Sequence, residues 1–388
     1  MKINYSKKLL RLPPYLFAEI DRKKKEALKK GVDIINLGVG DPDLAPPSHI
    51  RKKLKEAVDR PENWSYPFGE GLMEFREAVA RWYRYRFNVD LDPASEVHCL
   101  IGSKEGIAHL PIAFINPSDI VLCPEPGYPV YGGGTIFAEG EPYFMPLLSA
   151  NGFLPVLDAI PQDVARRAKL LFINYPNNPT GACAGRDFFE RVIDFARKHN
   201  LIVAHDAAYT ELYYTENKPI SFLSLPGAKD VGIEFHSLSK TYNMTGWRIG
   251  WVCGNAGVIK GISRVEENID SGTFNAVQAA AIEALDGPQD CTDRVRRTYA
   301  ERLGILSEGL ARLGWKFKTP EATFYLWART MDGYSSVECV GKVLDEAGII
   351  VTPGNGFGSS GEGYVRFSLT VSSERIEEAL ERLGRIRW

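Results

Sequence analysis

From about residue 97 to 254, short continuous apolar runs alternate with amphipathic stretches. The runs are VHCLIG (97–102), DIVLCPEP (119–126), AKLLFINYP (168–176), LIVAHD (201–206), GIEFHSLS (232–239) and RIGWVCG (248–254). Continuous rather than alternating apolar runs predict strands buried on both faces. Between two of them, RDFFERVIDFARKHN (186–200) places apolar residues at 188, 189, 192, 193, 195 and 196, a helical stripe. Strand–helix–strand repetition predicts an α/β unit with a mostly parallel central sheet.

The pattern changes toward the C-terminus. A helical stretch around 256–285 gives way to the breaker GPQD. Helical patterns follow near 293–313, 335–347 and 374–385, interleaved with strand-like WKFKTP, TFYLWART and YVRFSL. These predict a smaller α+β unit. The expected division is a large domain over 46–285 and a small one made of 1–45 with 286–388, the first residues forming an arm. A length of 388 residues suits two such domains.

Charge narrows the partners. Lys and Arg number 47 against 49 Asp and Glu, spread along the chain, so nothing favours nucleic acid. The basic run RKKK (22–25) lies among Leu16, Phe17, Ile20, Ala27 and Leu28 and reads as the solvated face of a helix. No stretch approaches the roughly 20 apolar residues of a membrane span. The opening residues lack an apolar core and cleavage pattern, so no signal peptide is expected. Six dispersed cysteines without CxxC read as reduced thiols of a cytoplasmic protein, and the six histidines show no metal-ligand spacing.

Polar residues follow the apolar runs at Gly102–Ser103, Pro126–Gly127–Tyr128, Asn174–Tyr175–Pro176, His205–Asp206 and Ser239–Lys240. Ligands of open α/β sheets collect at such strand ends. Lys240, set against apolar surroundings, has the makings of a neutral nucleophile toward an aldehyde or a carbonyl. On its own it reads rather as an ordinary surface lysine beginning a loop. Asp206 needs a cation if buried, and a protonated pyridine nitrogen is one; a helix cap is the plain alternative. Tyr209 lies three residues on. NYPNNPTG (174–181) is a tight non-helical loop that presents the amide of Asn178.

An anion site is assembled from pieces. GSKEG (102–106) joins a strand to a helical stretch, and Ser237, Ser239 and Arg248 add hydroxyls and a fixed positive fork. Tyr128, on the Pro-bounded turn PEPGYP, offers a ring for stacking. Arg366, in YVRFSL, demands an anion such as a carboxylate. The glycines of 353–363 lead into a strand, and no helix opens directly on those of GVGDPD (38–43), so neither is the GxGxxG fingerprint that opens a dinucleotide-binding helix.

In this order, NNPTG, Asp-x-x-Tyr, Ser-x-x-Lys and an arginine eight residues later resemble the class I/II aminotransferases of fold type I, which use pyridoxal 5′-phosphate. The likeness runs from GVGDPD to YVRFSL. It implies that Lys240 bonds the cofactor's aldehyde and shuttles the proton. Asp206 pairs with the ring nitrogen, Asn178 and Tyr209 hold the ring oxygen, and Tyr128 stacks on the ring. Ser103, Lys104, Ser237, Ser239 and Arg248 would take the phosphate, and Arg366 the substrate's α-carboxylate.

Tyr66 in SYPFGEG is similar to a tyrosine that reaches the neighbouring subunit's phosphate, which implies a homodimer with its sites at the interface. Within the family, MKINYSKKLLRLPPYLF, INLGVGDPDLAPP and GSKEGIAHLPIAFINP are most similar to the branch that exchanges an amino group between glutamate and tetrahydrodipicolinate, giving LL-diaminopimelate. That likeness adds Tyr15, Gly40, Lys104, Tyr128, Asn178 and Asn275 as substrate contacts, with Glu70 near the far end. Aspartate or aromatic aminotransferases and β-lyases of the same fold would keep most of these residues.

Overall fold

The computed structural model describes residues 1, 3–13, 22, 25, 29 and 31–388. Twelve strands are present among them: β1 Ile35–Asn36, β2 Val97–Leu100, β3 Ile120–Glu125, β4 Glu141–Pro146, β5 Ala168–Asn174, β6 Ile202–Asp206, β7 Gly232–Ser237, β8 Gly250–Gly254, β9 Tyr325–Arg329, β10 Ile349–Ile350, β11 Thr352–Pro353 and β12 Tyr364–Ser368.

Seven of them form the central sheet in the order β2-β8-β7-β6-β5-β3-β4. β7, β6, β5, β3 and β4 run parallel, while β8 is antiparallel to both β7 and β2. β2 and β7 therefore point the same way, and β8 alone is reversed. Every residue of β2, β3, β7 and β8 is buried, as the unbroken apolar runs require. Helices cover both faces. The helix Arg186–His199 buries Phe188, Phe189, Val192, Ile193 and Ala196 and ends on Asn200 in the left-handed conformation.

The direction of β8 settles why Arg248 belongs with Lys240. A parallel strand brings its carboxyl end to the shared edge, but a reversed strand brings its beginning. Arg248 lies two residues before β8 begins, so it emerges at the edge where β2, β3, β5, β6 and β7 finish.

A second core gathers around antiparallel β11-β12-β9 and the parallel pair β1-β10, under the helices Asp290–Arg312, Ser336–Ala347 and Ser373–Leu383. Tyr299, Leu303, Phe324, Leu326, Val365, Phe367 and Ile376 pack there with Ile35 and Leu37. Residues 35–37 are tied in by backbone bonds from Ile35 to Gly348 (3.0 Å) and Leu37 to Ile350 (2.8 Å).

Several elements differ from the sequence expectation. β4 was not anticipated: it is an edge strand with only Met145 buried, so it lacks an apolar run. WKFKTP forms a single bridge, Phe317 with Ala328, because its alternating lysines keep it at the surface. The helical stretch 256–285 is two helices, Ala256–Glu266 and Asn275–Asp286, parted by a turn containing Gly272. Lys240 lies on a helical turn, Leu238–Thr241, just past β7. Arg22 and Lys25 are helical and exposed; Leu16, Phe17, Ile20, Lys23, Lys24, Ala27 and Leu28 fall outside the described residues.

Candidate active site

A cavity of about 450 Å³ opens at the carboxyl edge of the sheet. Eleven residues named from the sequence line it: Gly40, Ser103, Lys104, Tyr128, Asn178, Asp206, Tyr209, Ser237, Ser239, Lys240 and Arg248. They come from loops up to two hundred residues apart in the chain: the order of the central sheet gathers most of them, and Gly40 comes from the segment after β1.

Lys240 sits at its centre. Its Nζ donates to the carbonyl of Gly40 at 3.0 Å and lies 5.5 Å from the Phe324 ring centroid. Burial drives the ammonium down to about 8, against the opposing pull of the Asp41 charge. Near neutral pH about a tenth of the amine is then neutral, far more than for an ordinary lysine, as a nucleophile or proton acceptor requires.

Asp206 ends β6 and is 6% exposed. The Tyr131 hydroxyl donates to its Oδ2 at 2.8 Å, while Oδ1 is buried and has no hydrogen-bond partner. Burial raises the carboxyl, and the Tyr131 bond pulls it back. A buried carboxylate with one unanswered oxygen on a cavity wall fits a protonated ring nitrogen.

At another part of the cavity the groups suit a phosphate. The helix Ser103–Phe114 begins there, offering the unpaired N–H groups and positive pole of its first turn. Gly102 has φ 76°, and a Cβ on it would stand 2.2 Å from Arg248 Nη2, so this turn excludes any larger residue. Arg248 is itself held in the left-handed region, φ 55°, with its guanidinium bonded to the carbonyls of Thr245 (3.0 Å) and Ile101 (3.2 Å). Ser237 accepts from the Ser239 N–H at 3.2 Å, which shapes the turn carrying Lys240.

The NNPTG loop is braced by its own side chains. Asn177 Oδ1 accepts from the Thr180 N–H (3.0 Å) and hydroxyl (2.7 Å), and Asn174 Oδ1 accepts from the Asn178 N–H (2.8 Å). Arg366, fully buried, donates from Nη1 to Asn178 Oδ1 at 2.7 Å and from Nη2 to the Gly38 carbonyl at 2.6 Å. With its oxygen engaged by Arg366, the Asn178 amide has its Nδ2 donor for an acceptor in the cavity.

Not every expected residue converges within one chain. Tyr66 is 72% exposed and stacks on Phe68 with ring centroids 5.3 Å apart. Asn275 begins the helix Asn275–Asp286 and bonds Gln278 at 3.3 Å, away from the cavity. Glu70 pairs with Arg76 at 3.1 Å. Arg366 lies behind Asn178 rather than on the cavity wall. Tyr15 lies outside the described residues.

Two participants were missed. Tyr131 follows Tyr128 at helical spacing, rings 5.9 Å apart, so VYGGG after PGYP held a signal for it. Tyr325 closes the cavity against Tyr209, hydroxyls 3.4 Å apart, and under Arg366, whose guanidinium lies 4.0 Å from its ring centroid. A Cβ on Gly40 would stand 1.9 Å from the Tyr325 hydroxyl, which explains the glycine there. Nothing near Tyr325 in the sequence marks it. The fold also gathers Glu105, His109 and Asp270 behind the first helical turn, ligand atoms within 4.8 Å of one another. Burial pushes the Glu105 carboxyl up to about 9, so this group holds a proton rather than a spare charge.

Residues 32–383 match the family model for class I and II aminotransferases. Curated relatives named LL-diaminopimelate aminotransferase include those of Syntrophobacter fumaroxidans, 59% identical over 99% of both chains, and Aquifex aeolicus, 55% identical over 99% of both. Among solved structures, substrate-bound BacF from Bacillus subtilis superposes with a TM-score of 0.96 at 37% identity, covering 99% of this chain and 98% of that one. An aspartate aminotransferase double mutant from Thermus thermophilus gives 0.92 at 29% identity, covering 99% and 100%.

Proposed function

The chain belongs to the class I and II aminotransferases, a family that depends on pyridoxal phosphate in general, and from that premise we propose that it transfers an amino group between LL-diaminopimelate and 2-oxoglutarate through the cavity at Lys240. The products would be tetrahydrodipicolinate and glutamate. The observation that carries the reading is the meeting of a buried lysine, its ammonium weakened by burial, with an unanswered buried carboxylate and a phosphate-shaped turn, within one cavity. The substrate pair rests on the full-length likeness to the diaminopimelate enzymes.

The fit to pyridoxal phosphate is specific. Asp206 Oδ1 would answer the ring N–H, Asn178 and Tyr209 the ring oxygen, and Tyr128 the ring face. The first turn of Ser103–Phe114, with Ser237, Ser239 and Arg248, would hold the phosphate. Bound there, the cofactor supplies an electron sink for charge left on the substrate's Cα. Lys240 Nζ would take the Cα proton as a base and, as the ammonium, give it up again as an acid. Asp206 would face the ring nitrogen with the oxygen that has no partner in the protein and favour its protonated form. Arg366 holds the α-carboxylate side together with Asn178, and Arg248 keeps the register while Lys240 is free.

The proposed assembly is a homodimer. Trp64, Tyr66, Phe68, Ile269 and Phe274 are exposed large apolar side chains, and Gly272 packs under the carbonyl of Pro67, so both loops form one face. A second copy on this face would carry its Tyr66 to the phosphate end and complete the site. We place the domain division between 285 and 286 and the protein in the cytoplasm; among the described residues no helix is long and apolar enough to cross a membrane.

Incubation with pyridoxal phosphate, borohydride reduction and peptide mass analysis tests the cofactor assignment. The added mass is expected on the peptide carrying Lys240, and none on a Lys240→Ala chain. Labelling elsewhere would overturn the site.

A further inference from the structure

The glycine-rich segment between β11 and β12 has no part in the reaction as described. It folds as two short turns, Gly354–Phe357 and Ser359–Gly361. Its two ends are pressed together: a Cβ on Gly354 would stand 2.0 Å from the Gly361 carbonyl oxygen. β11 and β12 belong to the second core, beside Val351, Val365 and Phe367. The tip of the segment nevertheless reaches the central sheet. There it meets Glu125, the last residue of β3, which is 8% exposed. Glu125 Oε2 accepts from the Ser359 hydroxyl (2.9 Å), the Ser360 N–H (3.1 Å) and the Ser360 hydroxyl (2.9 Å). Gly358, between the two turns, has φ 116°, and a Cβ there would stand 2.2 Å from Glu125 Cγ. Only a glycine lets the glutamate side chain come that close.

Two further contacts tie the same loop to the cavity. The Gly127 N–H donates to the Phe357 carbonyl at 2.9 Å. Gly127 is the residue before Tyr128, which lines the cavity holding Lys240. The Phe357 ring is buried, and the Arg366 guanidinium carbon lies 4.7 Å from its centroid. A cation within about 6 Å of a ring centroid is attracted to the ring. Phe357 therefore touches the Tyr128 turn through its backbone and Arg366 through its side chain. With the three bonds to Glu125, this makes four hydrogen bonds between the loop and the end of β3. Three of them depend on one side-chain oxygen, so loss of Glu125 would strip those donors of their acceptor.

We propose that the loop 354–361 sets Tyr128 and Arg366 together, with Glu125 as the positioning residue that fastens the loop to the Tyr128 turn. The inference rests on the cofactor reading above, in which Tyr128 stacks on the ring and Arg366 serves the substrate's α-carboxylate side. Both roles depend on placement. A stacked ring must lie at contact distance, and a guanidinium fork must meet its acceptors in plane. Tyr128 packs on the core of the central sheet, whereas Arg366 stands on β12 in the second sheet. Their separation is only as well fixed as the joint between the two cores, and Glu125 and Phe357 span that joint directly. No local sequence pattern marks the pairing, since Glu125 and Ser360 are 235 residues apart.

The test uses the full chain loaded with pyridoxal phosphate and has two readouts. Visible circular dichroism of the bound cofactor reports how its ring is held; KM for glutamate, set against kcat, reports the placement of Arg366. Glu125→Ala is expected to lower the dichroic signal per bound cofactor. It should also raise KM for glutamate about tenfold, the effect of one lost hydrogen-bonding group, with kcat changed far less. Glu125→Gln keeps an oxygen for the same three donors, so it should restore both readouts. A chain with both Ser359→Ala and Ser360→Ala leaves β3 untouched and should move both readouts in the same direction as Glu125→Ala. Unmoved dichroism and KM in Glu125→Ala, whatever its melting temperature, would make the contact merely structural and overturn the inference. So would a Glu125→Gln chain as impaired as Glu125→Ala. If Glu125→Ala does not fold, the double serine variant decides by the same two readouts. Failure of pyridoxal phosphate to label Lys240 would sink the cofactor reading instead, and inert glutamate the substrate reading; a labelled Lys240 with dichroism unmoved by these variants would sink this inference alone.

Discussion

Arg366 Nη1 donates to the side-chain oxygen of Asn178 at 2.7 Å, and both residues are buried. This bond orients an amide that would otherwise be free to present either end to the cavity. Under the proposed roles, Arg366 would act on the ring-oxygen contact through Asn178. Asn178→Ala and Arg366→Ala should then be strongly non-additive. Each single change is expected to lower kcat/KM by about a hundredfold or more, the double by little beyond the worse single. Losses that simply multiply would show that the two side chains act independently.

Lys240 carries a stability cost that the cofactor-free protein must bear. Its amine falls from the ordinary 10.5 to about 8 because burial disfavours the charge. In the folded chain the penalty is absent above about pH 10.5, grows as pH falls, and is complete below about 8. At roughly 1.4 kcal/mol per tenfold, the full penalty is about 3 kcal/mol. Lys240→Met should therefore stabilise the cofactor-free protein at pH 7, partly offset by the lost bond to Gly40, and the gain should shrink by pH 9.5. Thermal unfolding at both pH values checks it; a destabilised variant at pH 7 would mean that the lysine is well solvated.

The same titration sets the rate of cofactor attachment. The neutral amine attacks, so the second-order rate of reaction with pyridoxal phosphate should rise with pH and level off above a midpoint near 8. A midpoint near 10.5 would place Lys240 in an ordinary aqueous setting.

Tyr66 offers a test of the dimer that needs no structure. A chain with Tyr66→Ala keeps its own Lys240, and a Lys240→Ala chain keeps its own Tyr66. If each site borrows Tyr66 from the second copy, mixed and re-equilibrated chains should be more active than the two separate preparations combined. Activity equal to that of the separate preparations would place Tyr66 outside the neighbouring site.

The parallel sheet and the residues at its carboxyl edge were readable because each buried strand is a continuous apolar run ending in a polar residue, as at Asp206 and Asn174. The reversal of β8 was not readable, since a buried antiparallel strand has the same composition as a parallel one; yet that reversal delivers Arg248 to the site. β4 was invisible for lack of an apolar run, and Tyr325 because its role depends on β9 lying against Gly40. Local spacing recorded Tyr131, whereas Glu125 meets Ser359 and Ser360 only where the two cores are brought together. What the chain encodes by short-range pattern could be read; what it encodes by pairing required the fold.

The central claim is the identity of the amino donors, and the amino-transfer half-reaction tests it most directly. Enzyme loaded with pyridoxal phosphate is mixed separately with LL-diaminopimelate, meso-diaminopimelate, glutamate, aspartate and phenylalanine, and absorbance follows the loss of the aldehyde form as the amine form appears. Rapid conversion by LL-diaminopimelate and glutamate alone is the expected result. Rapid conversion by aspartate or phenylalanine, with both diaminopimelates inert, would contradict the proposed substrates and leave a transaminase of different specificity.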